Sequence, residues 1–577
     1  MNRILLYART LAYLKISQLA YLFFRRVVPQ ISFQHARKQI VRRPNIAIKT
    51  SPSVLQSSGG DYRFVFLNQG VEFNEDQMDW VCRDRSKLWR YNLHYFDYLQ
   101  DPRRSVESRC NVISDWIEQN PSGTPDAWEP YAASLRIVNW VKFFLSLSQD
   151  SIDNREEDKG TMPESSSGVL KAEWLKNLYR QVLWLERNIE YHFLANHYLK
   201  NGVALFFAGM FFEGRDADRW LQKGLKILRE EIDEQFLADG GHFERSPMYH
   251  SISVMDYVDV LNLMMSSRQA MVFPEMDHVR EKTVQALNFL HDICLPDGDI
   301  PLYNDSAFKI ALSPSRIFEY AREVMGYHVP APTAGLFSCA KRESGYYVIR
   351  KGSDMVVIDC GPIGPAYNPA HAHCDTLSYE LSLNGRRIIV DSGVFDYEPS
   401  PQRAYARSTK AHNTVVVDGQ EQSEVWGVFR VARRANPLFA HLTHSGDGHV
   451  KFKGAHNGYA RLPGKVIHQR SIEFDGSSSW KVTDEVQGGG THQIDSYVHL
   501  HSECQATQMG QTVRISDKDG IALLCIENLG SGDMKVEQGW FFPEFGVACN
   551  QSVIVLTRTG PLPLSLTYRI TKNSESI

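Results

Sequence analysis

Apolar residues recur at three- and four-residue spacing from about residue 79 to residue 326, which predicts a region built from helices. Gly, Pro or charged residues separate the periodic segments, and the charged, serine-rich run 150–168 predicts a solvated loop. Helices in such a series suggest a bundle, an α-solenoid or an α/α toroid. The predicted helices lie near residues 129–147, 172–190, 197–213, 216–236, 248–267, 276–293 and 313–325.

The period of the apolar residues changes from 3.6 to 2 after Pro330-Ala331-Pro332, which predicts a change from helices to strands. We therefore expect a basic N-terminal arm over 1–78, a helical domain over 79–330 and an all-β domain of stacked sheets over 340–577. The predicted strands are residues 346–350, 355–359, 377–383, 386–391, 413–417, 466–474, 480–486 and 521–526.

One predicted hairpin carries polar residues at positions where apolar residues are expected. His371, His373 and Asp375 alternate just before the strand that begins at Leu377, and the returning strand ends at Asp391. A two-residue turn at Asn384-Gly385 pairs Leu381 with Ile388. This register turns Asp391 away from the face that carries Leu377, unless a bulge breaks the alternation.

Composition narrows the class of protein only a little. The chain has 577 residues, of which 43% are apolar and 23% charged, as in soluble globular proteins. A net charge of -4 gives no reason to expect nucleic acid as a partner. Residues 1–60 nevertheless contain ten Lys or Arg and no acidic residue. This arm either lies on an anionic membrane or polymer, or packs on the acidic body of the same chain.

The first 30 residues do not match a secretory signal or a membrane span. Arg9 and Lys15 interrupt the apolar runs, and no cleavage-site pattern of small residues follows. The spacing of the apolar residues favours amphipathic helices on a surface, and no later segment reaches spanning length. We expect a protein without a transmembrane helix, in a bacterial-type cytoplasm or periplasm; the oligomeric state stays open.

Two segments of the helical half carry candidate chemistry. Asn196 and His197 stand ahead of an apolar helix, where Asn196 also suits a helix N-cap. Ser246 and Pro247 predict the N-cap and first residue of another helix and place Tyr249 in its first turn. The helix dipole there favours phenolate, although a packed aromatic ring is the alternative.

Further candidates include metal ligands and groups that bind sugars. Histidine and aspartate nitrogen and oxygen atoms suit zinc or a similar ion, or else form a hydrogen-bonded cluster. Trp128 and Tyr131 are candidates for sugar stacking, with core packing as the alternative. Arg245 and Arg407 suit carboxylate or sulfate groups, unless they are ordinary surface arginines. The candidate ligands are His371, His373, Asp391 and His412.

Taken in chain order, these segments resemble the heparinase II/III family of polysaccharide lyases. The resemblance rests on an Asn-His ahead of a helix, a Ser-Pro-x-Tyr-His, a His-x-His-x-Asp in the β domain, a Val-Asp-Ser-Gly at the hairpin end and an Arg-Ser-x-x-x-His-Asn-Thr. It implies an N-terminal α/α toroid, a C-terminal antiparallel β-sandwich and an active site in the cleft between them.

The resemblance also implies residue roles in β-elimination. Asn196, helped by His197, would bind and neutralise the uronate carboxylate. Tyr249 and His371 would share the acid and base roles, and Tyr405 would support them.

The resemblance implies a metal site as well. His373, Asp391 and His412 would hold a structural divalent ion, zinc before manganese or calcium.

The function that we expect is eliminative cleavage of an anionic uronic-acid polysaccharide, glycosaminoglycan-like before alginate-like. One alternative is a toroid-fold glycoside hydrolase, which needs two carboxylates across the cleft; Glu129 and Glu244 are the candidates. The other alternative is a non-catalytic polysaccharide-binding protein on the same scaffold.

Overall fold

A computed structural model describes residues 3–27, 40–43, 46–54, 60–75, 77–157, 170–266, 273–331, 335–445 and 448–573. It shows a helical region followed by a sheet-rich region, in the order that the change of period predicts. The helices are α1 (Arg3–Leu11), α2 (Ile16–Val27), α3 (Lys87–Tyr95), α4 (Val106–Gln119), α5 (Pro130–Glu157), α6 (Ala172–Arg187), α7 (Ala195–Phe211), α8 (Arg215–Gln235), α9 (Pro247–Met265), α10 (Met276–Ile293), α11 (Pro314–Met325) and α12 (Pro401–Ala406).

All seven predicted helices are present, as α5 to α11. Helix α5 continues to Glu157, so the loop predicted from residue 150 is wrong over its first part. Arg155 and Glu156 are good helix formers, so their charge did not end the helix. The rest of that predicted loop, residues 158–169, lies outside the described residues.

Helix α7 contacts α5, α6, α8 and α9 and packs most extensively on α8. Nearly every residue of α7 is buried. A Cβ atom on Gly209 would lie 2.4 Å from the backbone nitrogen of Leu221, and one on Gly224 would lie 2.5 Å from that of Phe206. Glycine is therefore required at both positions, because the two helix backbones are nearly in contact.

The sheet region contains an eight-stranded, a five-stranded and a four-stranded sheet, and all paired strands within them are antiparallel. Side chains from the three sheets form one apolar core. The five-stranded sheet is β3 (Leu336–Lys341), β4 (Tyr346–Lys351), β5 (Asp354–Asp359), β6 (Tyr379–Leu383) and β7 (Arg386–Ile389).

The other two sheets follow it in sequence. In spatial order, the eight-stranded sheet is β11 (Pro437–His444), β12 (Val450–His456), β13 (Ile467–Phe474), β14 (Ser479–Gln487), β21 (Leu564–Lys572), β18 (Ala522–Asn528), β17 (Thr512–Asp517) and β16 (Cys504–Met509). The four-stranded sheet is β19 (Asp533–Phe541), β20 (Cys549–Pro561), β15 (Thr491–His499) and β8 (Val415–Val417). Two-residue strands β9 (Val425–Trp426) and β10 (Arg430–Val431) pair beside them, and a hairpin of β1 (Arg63–Phe66) and β2 (Gln69–Glu72) precedes the helical region.

The register of the β6–β7 hairpin differs from the predicted one. Leu381 pairs with Ile389, and the predicted pairing with Ile388 is wrong because a bulge shifts the register by one residue. Asp391 therefore does not turn away from the cluster, and its Oδ2 accepts a hydrogen bond of 3.4 Å from Ser378. The bulge supplies the break in alternation that the candidate site requires.

The N-terminal helices α1 and α2 pack on the body of the protein. Arg9 pairs with Glu424 of the sheet region at 3.2 Å, and Lys15 pairs with Glu234 of α8 at 2.7 Å. The arm thus contacts both regions, as the self-packing interpretation predicts. No described helix is both long and apolar enough to cross a membrane.

Candidate active site

A cleft of about 970 Å³ lies between the helical and the sheet regions. The helical region contributes Tyr131, Asn196, His197 and Tyr249 to its lining, and the sheet region contributes His371 and other loop residues. Five of the predicted site residues therefore meet in one concave surface, although 240 positions separate the first from the last.

The loop that follows α10 carries a carboxylate into the centre of this site. Asn304 has a left-handed backbone (φ 55°), and its amide N–H donates to Asp375 Oδ2 at 2.9 Å. Its side-chain oxygen accepts from the backbone N–H of His373 at 3.0 Å. These bonds fix the loop against the sheet region and place Asp305 between the two histidines of the His-x-His motif.

Asp305 is fully buried and accepts hydrogen bonds from three side chains. Its Oδ2 accepts from Nδ1 of His371 at 2.9 Å, and its Oδ1 accepts from Nε2 of His373 at 2.8 Å. Arg403 of α12 contacts both oxygens, at 3.0 Å for Oδ2. Burial alone would raise the pKa of Asp305, but Arg403 and the two histidines hold it well below its usual value.

An ionised carboxylate only accepts hydrogen bonds, so Asp305 determines the tautomer of each neutral histidine. His371 must carry its proton on Nδ1, which leaves the lone pair on Nε2. His373 must carry its proton on Nε2, which leaves the lone pair on Nδ1. Nε2 of His371 is thus an available base, and Nδ1 of His373 is an available ligand atom.

Tyr249 lies directly against His371. The two rings stack with centroids 3.9 Å apart and planes 29° from parallel. The Tyr249 hydroxyl shares a hydrogen bond of 3.2 Å with the hydroxyl of Tyr397, which also lines the cleft. A phenol and an imidazole therefore stand side by side at the cleft surface, as an acid and base pair requires.

The start of α9 agrees with the sequence, but burial opposes the predicted ionisation of its tyrosine. Ser246 is the N-cap, its hydroxyl accepts from the Tyr249 N–H at 3.2 Å, and Pro247 is the first helical residue. Burial and the neighbouring Tyr397 nevertheless raise the pKa of Tyr249 well above its usual value. This shift opposes the phenolate that the helix dipole favours. Tyr249 rests as a neutral phenol that can donate a proton.

Glu244 lies near Nε2 of His371, whereas Asp305 bonds the other ring nitrogen, Nδ1. The Oε2 atom of Glu244 lies 3.6 Å from Nε2 of His371. Burial raises the pKa of Glu244, partly offset by His371. His371 therefore stands between two carboxyl groups of opposite character: Asp305, held ionised, and Glu244, shifted toward the protonated form.

Asn196 and His197 occupy the first turn of α7 at the same cleft. The helix begins at Ala195 with Leu194 as its N-cap, so Asn196 is not the cap. Leu194 and Ala195 both have positive φ (58° and 51°), a conformation that non-glycine residues rarely adopt. The strained turn presents both side chains to the cleft.

Glu190 orients His197. Its Oε1 lies 3.0 Å from Nδ1 of His197, and its Oε2 accepts from Asn201 at 3.3 Å. Burial alone would raise the pKa of Glu190, but His197 and Asn201 keep it below its usual value. The ring of His197 also contacts Tyr131, with centroids 4.4 Å apart.

The three predicted metal ligands lie together in the buried core beside the cleft. The rings of His373 and His412 have centroids 5.4 Å apart, and both residues are fully buried. Within the described residues, neither Nδ1 of His373 nor Nε2 of His412 has a hydrogen-bond partner. Asp391 Oδ2 bonds Nδ1 of His412 at 2.8 Å, so Asp391 orients that ring.

This pattern, in which a carboxylate holds each histidine by its other nitrogen, suits an ion-binding pair. Burial lowers the pKa of His373 to about 4, which leaves its ring neutral. Burial would also lower the pKa of His412, but Asp391 raises it above the usual value. In the part of the chain that the structure describes, no three His, Cys, Asp or Glu side chains form a metal-binding group.

Three predicted substrate-binding residues are instead engaged in the protein interior. The Trp128 indole N–H donates to the carbonyl of Asn120 at 3.0 Å, and its ring packs on Trp116. The Arg245 guanidinium donates to the backbone carbonyls of residues 243, 343 and 344, and that of Arg407 to those of residues 372, 427 and 430. None of the three lines the cleft, because their donors are used to hold loops.

Tyr405, predicted to support catalysis, also lies outside the cleft lining. Its ring packs edge-on against Trp540, with centroids 5.3 Å apart, and Tyr405 is not among the residues of the lining. Tyr397, eight positions earlier, is the tyrosine that reaches Tyr249. The family resemblance implied Tyr405, whereas the residue of α12 that contacts the site is Arg403, which donates to Asp305.

Sequence reasoning missed Asp305, Tyr397 and Arg403. Asn304-Asp305-Ser306 has the composition of an ordinary turn, and its partners are 66 and 68 positions away. Tyr397 follows the Val-Asp-Ser-Gly segment by a few residues, and this proximity is the one feature of the sequence that pointed to it.

The fold and the site define a protein with a helical and a sheet region, and the cleft between them holds a tyrosine beside a histidine that a buried carboxylate orients. The chain belongs to the heparinase II/III family. The family profile described as "Heparinase II/III N-terminus" matches residues 17–324, and the profile "Heparinase II/III-like, C-terminal" matches residues 338–571. The two matches cover the helical and the sheet regions respectively.

Curated relatives and solved structures agree with this assignment. A heparin-sulfate lyase of Pedobacter heparinus is 27% identical over 473 residues, which cover 76% of this chain and 65% of that protein. This chain therefore spans less than two thirds of that relative. A heparin-sulfate lyase of Bacteroides stercoris is 24% identical, covering 80% of this chain and 71% of that protein. A crystal structure of heparinase III aligns with a TM-score of 0.68 at 18% identity, covering 87% of this chain and 80% of that one, which shows a shared fold.

Proposed function

We propose that the protein is a polysaccharide lyase that cleaves a uronic-acid polysaccharide of the glycosaminoglycan type by β-elimination. The observation that carries the proposal is the stacking of Tyr249 on His371, whose Nδ1 donates to the ionised Asp305. The family relationship and the heparin-sulfate lyase relatives support the same reaction class. We also propose the ring-like toroid and the β-sandwich as the arrangement of the two regions.

In the proposed mechanism, Asn196 and His197 bind the uronate carboxylate. They reduce its negative charge, which stabilises the enolate-like charge that develops when the C5 proton leaves. Glu190 holds the His197 ring in place for this contact.

His371 and Tyr249 then divide the proton transfers. Nε2 of His371 takes the C5 proton, because Asp305 keeps the ring proton on Nδ1. The electron pair of the C5–H bond forms the C4–C5 double bond, the C4–O4 bond breaks, and Tyr249 gives its proton to the departing O4. The raised pKa of Tyr249 favours the acid role, because the phenol is protonated before the reaction.

The charges of the cleft point to a polymer with few sulfate groups. Among the residues that the structure describes, the lining contains five Lys or Arg and seven Asp or Glu. The three lysines of this described lining already pair with lining carboxylates: Lys87 with Glu129, Lys142 with Asp259 and Lys200 with Asp256. A densely sulfated chain would meet this surface at a cost, because like charges repel.

We further propose a structural divalent ion, zinc before manganese or calcium, held by Nδ1 of His373 and Nε2 of His412 beside Asp391. The two unpaired ring nitrogens support this. The ion would fix the loops of the sheet region below the cleft, and no proton transfer depends on it.

Ultraviolet absorbance tests the reaction class. A panel of uronic polymers incubated with the protein should yield an unsaturated, ultraviolet-absorbing sugar end from at least one member. Tyr249→Phe should reduce turnover by about 10²–10⁴-fold while substrate affinity is kept, and Tyr327→Phe, outside the cleft lining, serves as the control.

Two other outcomes would overturn the proposal. Saturated products that carry a new water oxygen would indicate a glycoside hydrolase, for which Glu129 and Glu244 are the carboxylate candidates. Binding of a polymer without any turnover in the wild type would indicate a non-catalytic polysaccharide-binding protein.

A further inference from the structure

Among the described residues of helices α1 and α2, eight large aliphatic or phenylalanine side chains are exposed to solvent. Ile16 is 86% exposed, Ile4 76% and Phe23 71%. Apolar residues scattered singly on a surface are normal, but a cluster on two adjacent helices marks a binding surface. The other members of this exposed apolar face are Leu5, Leu11, Leu19, Leu22 and Val27.

The opposite side of the same two helices is fixed to the protein. Gln18 is buried and donates to the carbonyl of His192 at 3.2 Å. The indole N–H of Trp426 donates to Thr10 at 3.1 Å, and the ring of Tyr21 stacks on Tyr191 at 4.6 Å. The helices are thus held in a defined orientation, with their apolar face outward.

The arm also lies beside the mouth of the cleft. Arg430, which lines the cleft, stands 5.7 Å from the ring centroid of Tyr7. Lys15 lies over the ring of Tyr367 at 3.9 Å, and the next residue, Asn368, lines the cleft. A partner that binds the exposed apolar face would therefore lie close to the opening of the cleft.

Charge indicates which kind of partner the exposed apolar face binds. The first 60 residues contain ten Lys or Arg and no acidic residue, so nothing in this segment repels an anionic partner. Tyr7 and Tyr13 are 48% and 40% exposed on the same segment, and aromatic side chains of this kind commonly meet lipid headgroups. Amphipathic helices with such residues lie in the plane of a bilayer interface, and neither α1 nor α2 is suited to span one.

We propose that the exposed apolar face of α1 and α2 docks on an anionic lipid bilayer and holds the cleft at the membrane surface. Insertion would bury the aliphatic side chains and Phe23 among the acyl chains. Basic residues of the segment other than Arg9, Lys15 and Arg43, which pair with acidic residues of the body, would add attraction to anionic headgroups. This inference does not depend on the reaction catalysed in the cleft.

Vesicle flotation of the full-length protein tests the proposal. The protein should float with phosphatidylcholine vesicles that contain phosphatidylglycerol, and less with phosphatidylcholine alone. The double variant Ile16→Ser/Phe23→Ser should bind on the order of tenfold or more weakly, because two exposed apolar side chains no longer enter the bilayer. The matched control is Met509→Ser/Ile521→Ser, since both residues are 56% exposed on the sheet region.

The control variant should bind vesicles like the wild type, and all proteins should show the same thermal unfolding midpoint. Equal flotation of the Ile16/Phe23 variant and the wild type would overturn the proposal. A dimer in solution that the same double variant abolishes, without vesicle binding by the wild type, would show that a second copy covers the face instead. Absence of both would overturn it equally.

Discussion

Nδ1 of His371 donates to Oδ2 of Asp305 across the boundary between the sheet and the helical regions, at 2.9 Å. The bond joins a loop of one region to the proposed base on the other, so it sets both the tautomer of His371 and the position of its ring. The two regions therefore have to be assembled before the proposed base is ready.

Replacing Asp305 tests this relationship. Asp305→Asn removes the charge and allows the wrong tautomer, so kcat should fall by about 10²–10⁴-fold with a small change in KM. Steady-state kinetics on a uronic polymer measures both. Asp297→Asn, whose carboxylate pairs with Arg387 outside the cleft lining, should keep normal kcat. An unchanged kcat in Asp305→Asn would show that His371 does not need this partner.

Tyr397 should matter through its bond to the Tyr249 hydroxyl. Tyr397→Phe removes one hydrogen bond of 3.2 Å and leaves the ring packing, so we expect kcat to fall by about tenfold, less than in Tyr249→Phe. The control variant Tyr405→Phe should keep kcat near the wild-type value, because the Tyr405 ring packs on Trp540. A larger loss in Tyr405→Phe than in Tyr397→Phe would reverse the two roles.

Metal content tests the histidine pair beside Asp391. Purified protein should contain about one divalent ion per chain, and His412→Ala should lose it and unfold at a lower temperature. Elemental analysis and thermal unfolding measure the two effects. His492→Ala is the control, since His492 also bonds an aspartate, Asp418, at 2.6 Å but lies away from the pair. Metal-free wild-type protein with an unchanged midpoint after chelation would contradict the proposal.

A buried ion pair in the sheet region should make stability depend on pH. Arg470 and Asp484 are fully buried, with Nε and Oδ1 2.7 Å apart. Burial alone would raise the pKa of Asp484, but Arg470 and His468 hold it well below its usual value. Its contribution to stability is therefore present above the unfolded pKa of about 3.9 and is lost as the pH falls below that value.

Asp484→Asn should lower the free energy of unfolding at neutral pH by about 3–5 kcal/mol, because it leaves Arg470 charged and unpaired. Urea unfolding at neutral pH and below pH ~4 measures the difference. The gap between variant and wild type should narrow at the lower pH. A gap that stayed constant would mean that the carboxylate of Asp484 is not the group that titrates.

The carboxylates of the cleft should limit sulfated substrates. Neutralising two of them in Glu129→Gln/Glu398→Gln should raise kcat/KM for a sulfated uronic polymer by roughly threefold to tenfold relative to its desulfated form. Competition between the two polymers measures the ratio directly. The exposed pair Lys535 and Glu537 provides a control in Glu537→Gln. An unchanged ratio would show that these carboxylates do not select the substrate.

The sequence by itself determined the order of the two regions, because apolar periodicity records which face of each element is buried. It also determined the start of α9, because the N-cap at Ser246 and the proline at the first helical position, Pro247, depend only on neighbouring residues. The sequence also indicated four site residues, because each belongs to a short motif that can be recognised without knowing what surrounds it in the fold. These residues are Asn196, His197, Tyr249 and His371.

The tertiary structure alone decided how those motifs combine. The bulge that brings Asp391 beside His412 depends on pairing between strands, and burial rather than the helix dipole sets the protonation of Tyr249. Asp305 could not be predicted from the sequence, because its turn has an ordinary composition. Its histidine and arginine partners come close only when the two regions pack together. Arg245 looked available in the sequence, but folding engages its donors with backbone carbonyls. Local sequence patterns determine where helices and strands form. The burial of ionisable groups, the protonation states that follow from it and the contacts between distant segments are determined only when the chain folds.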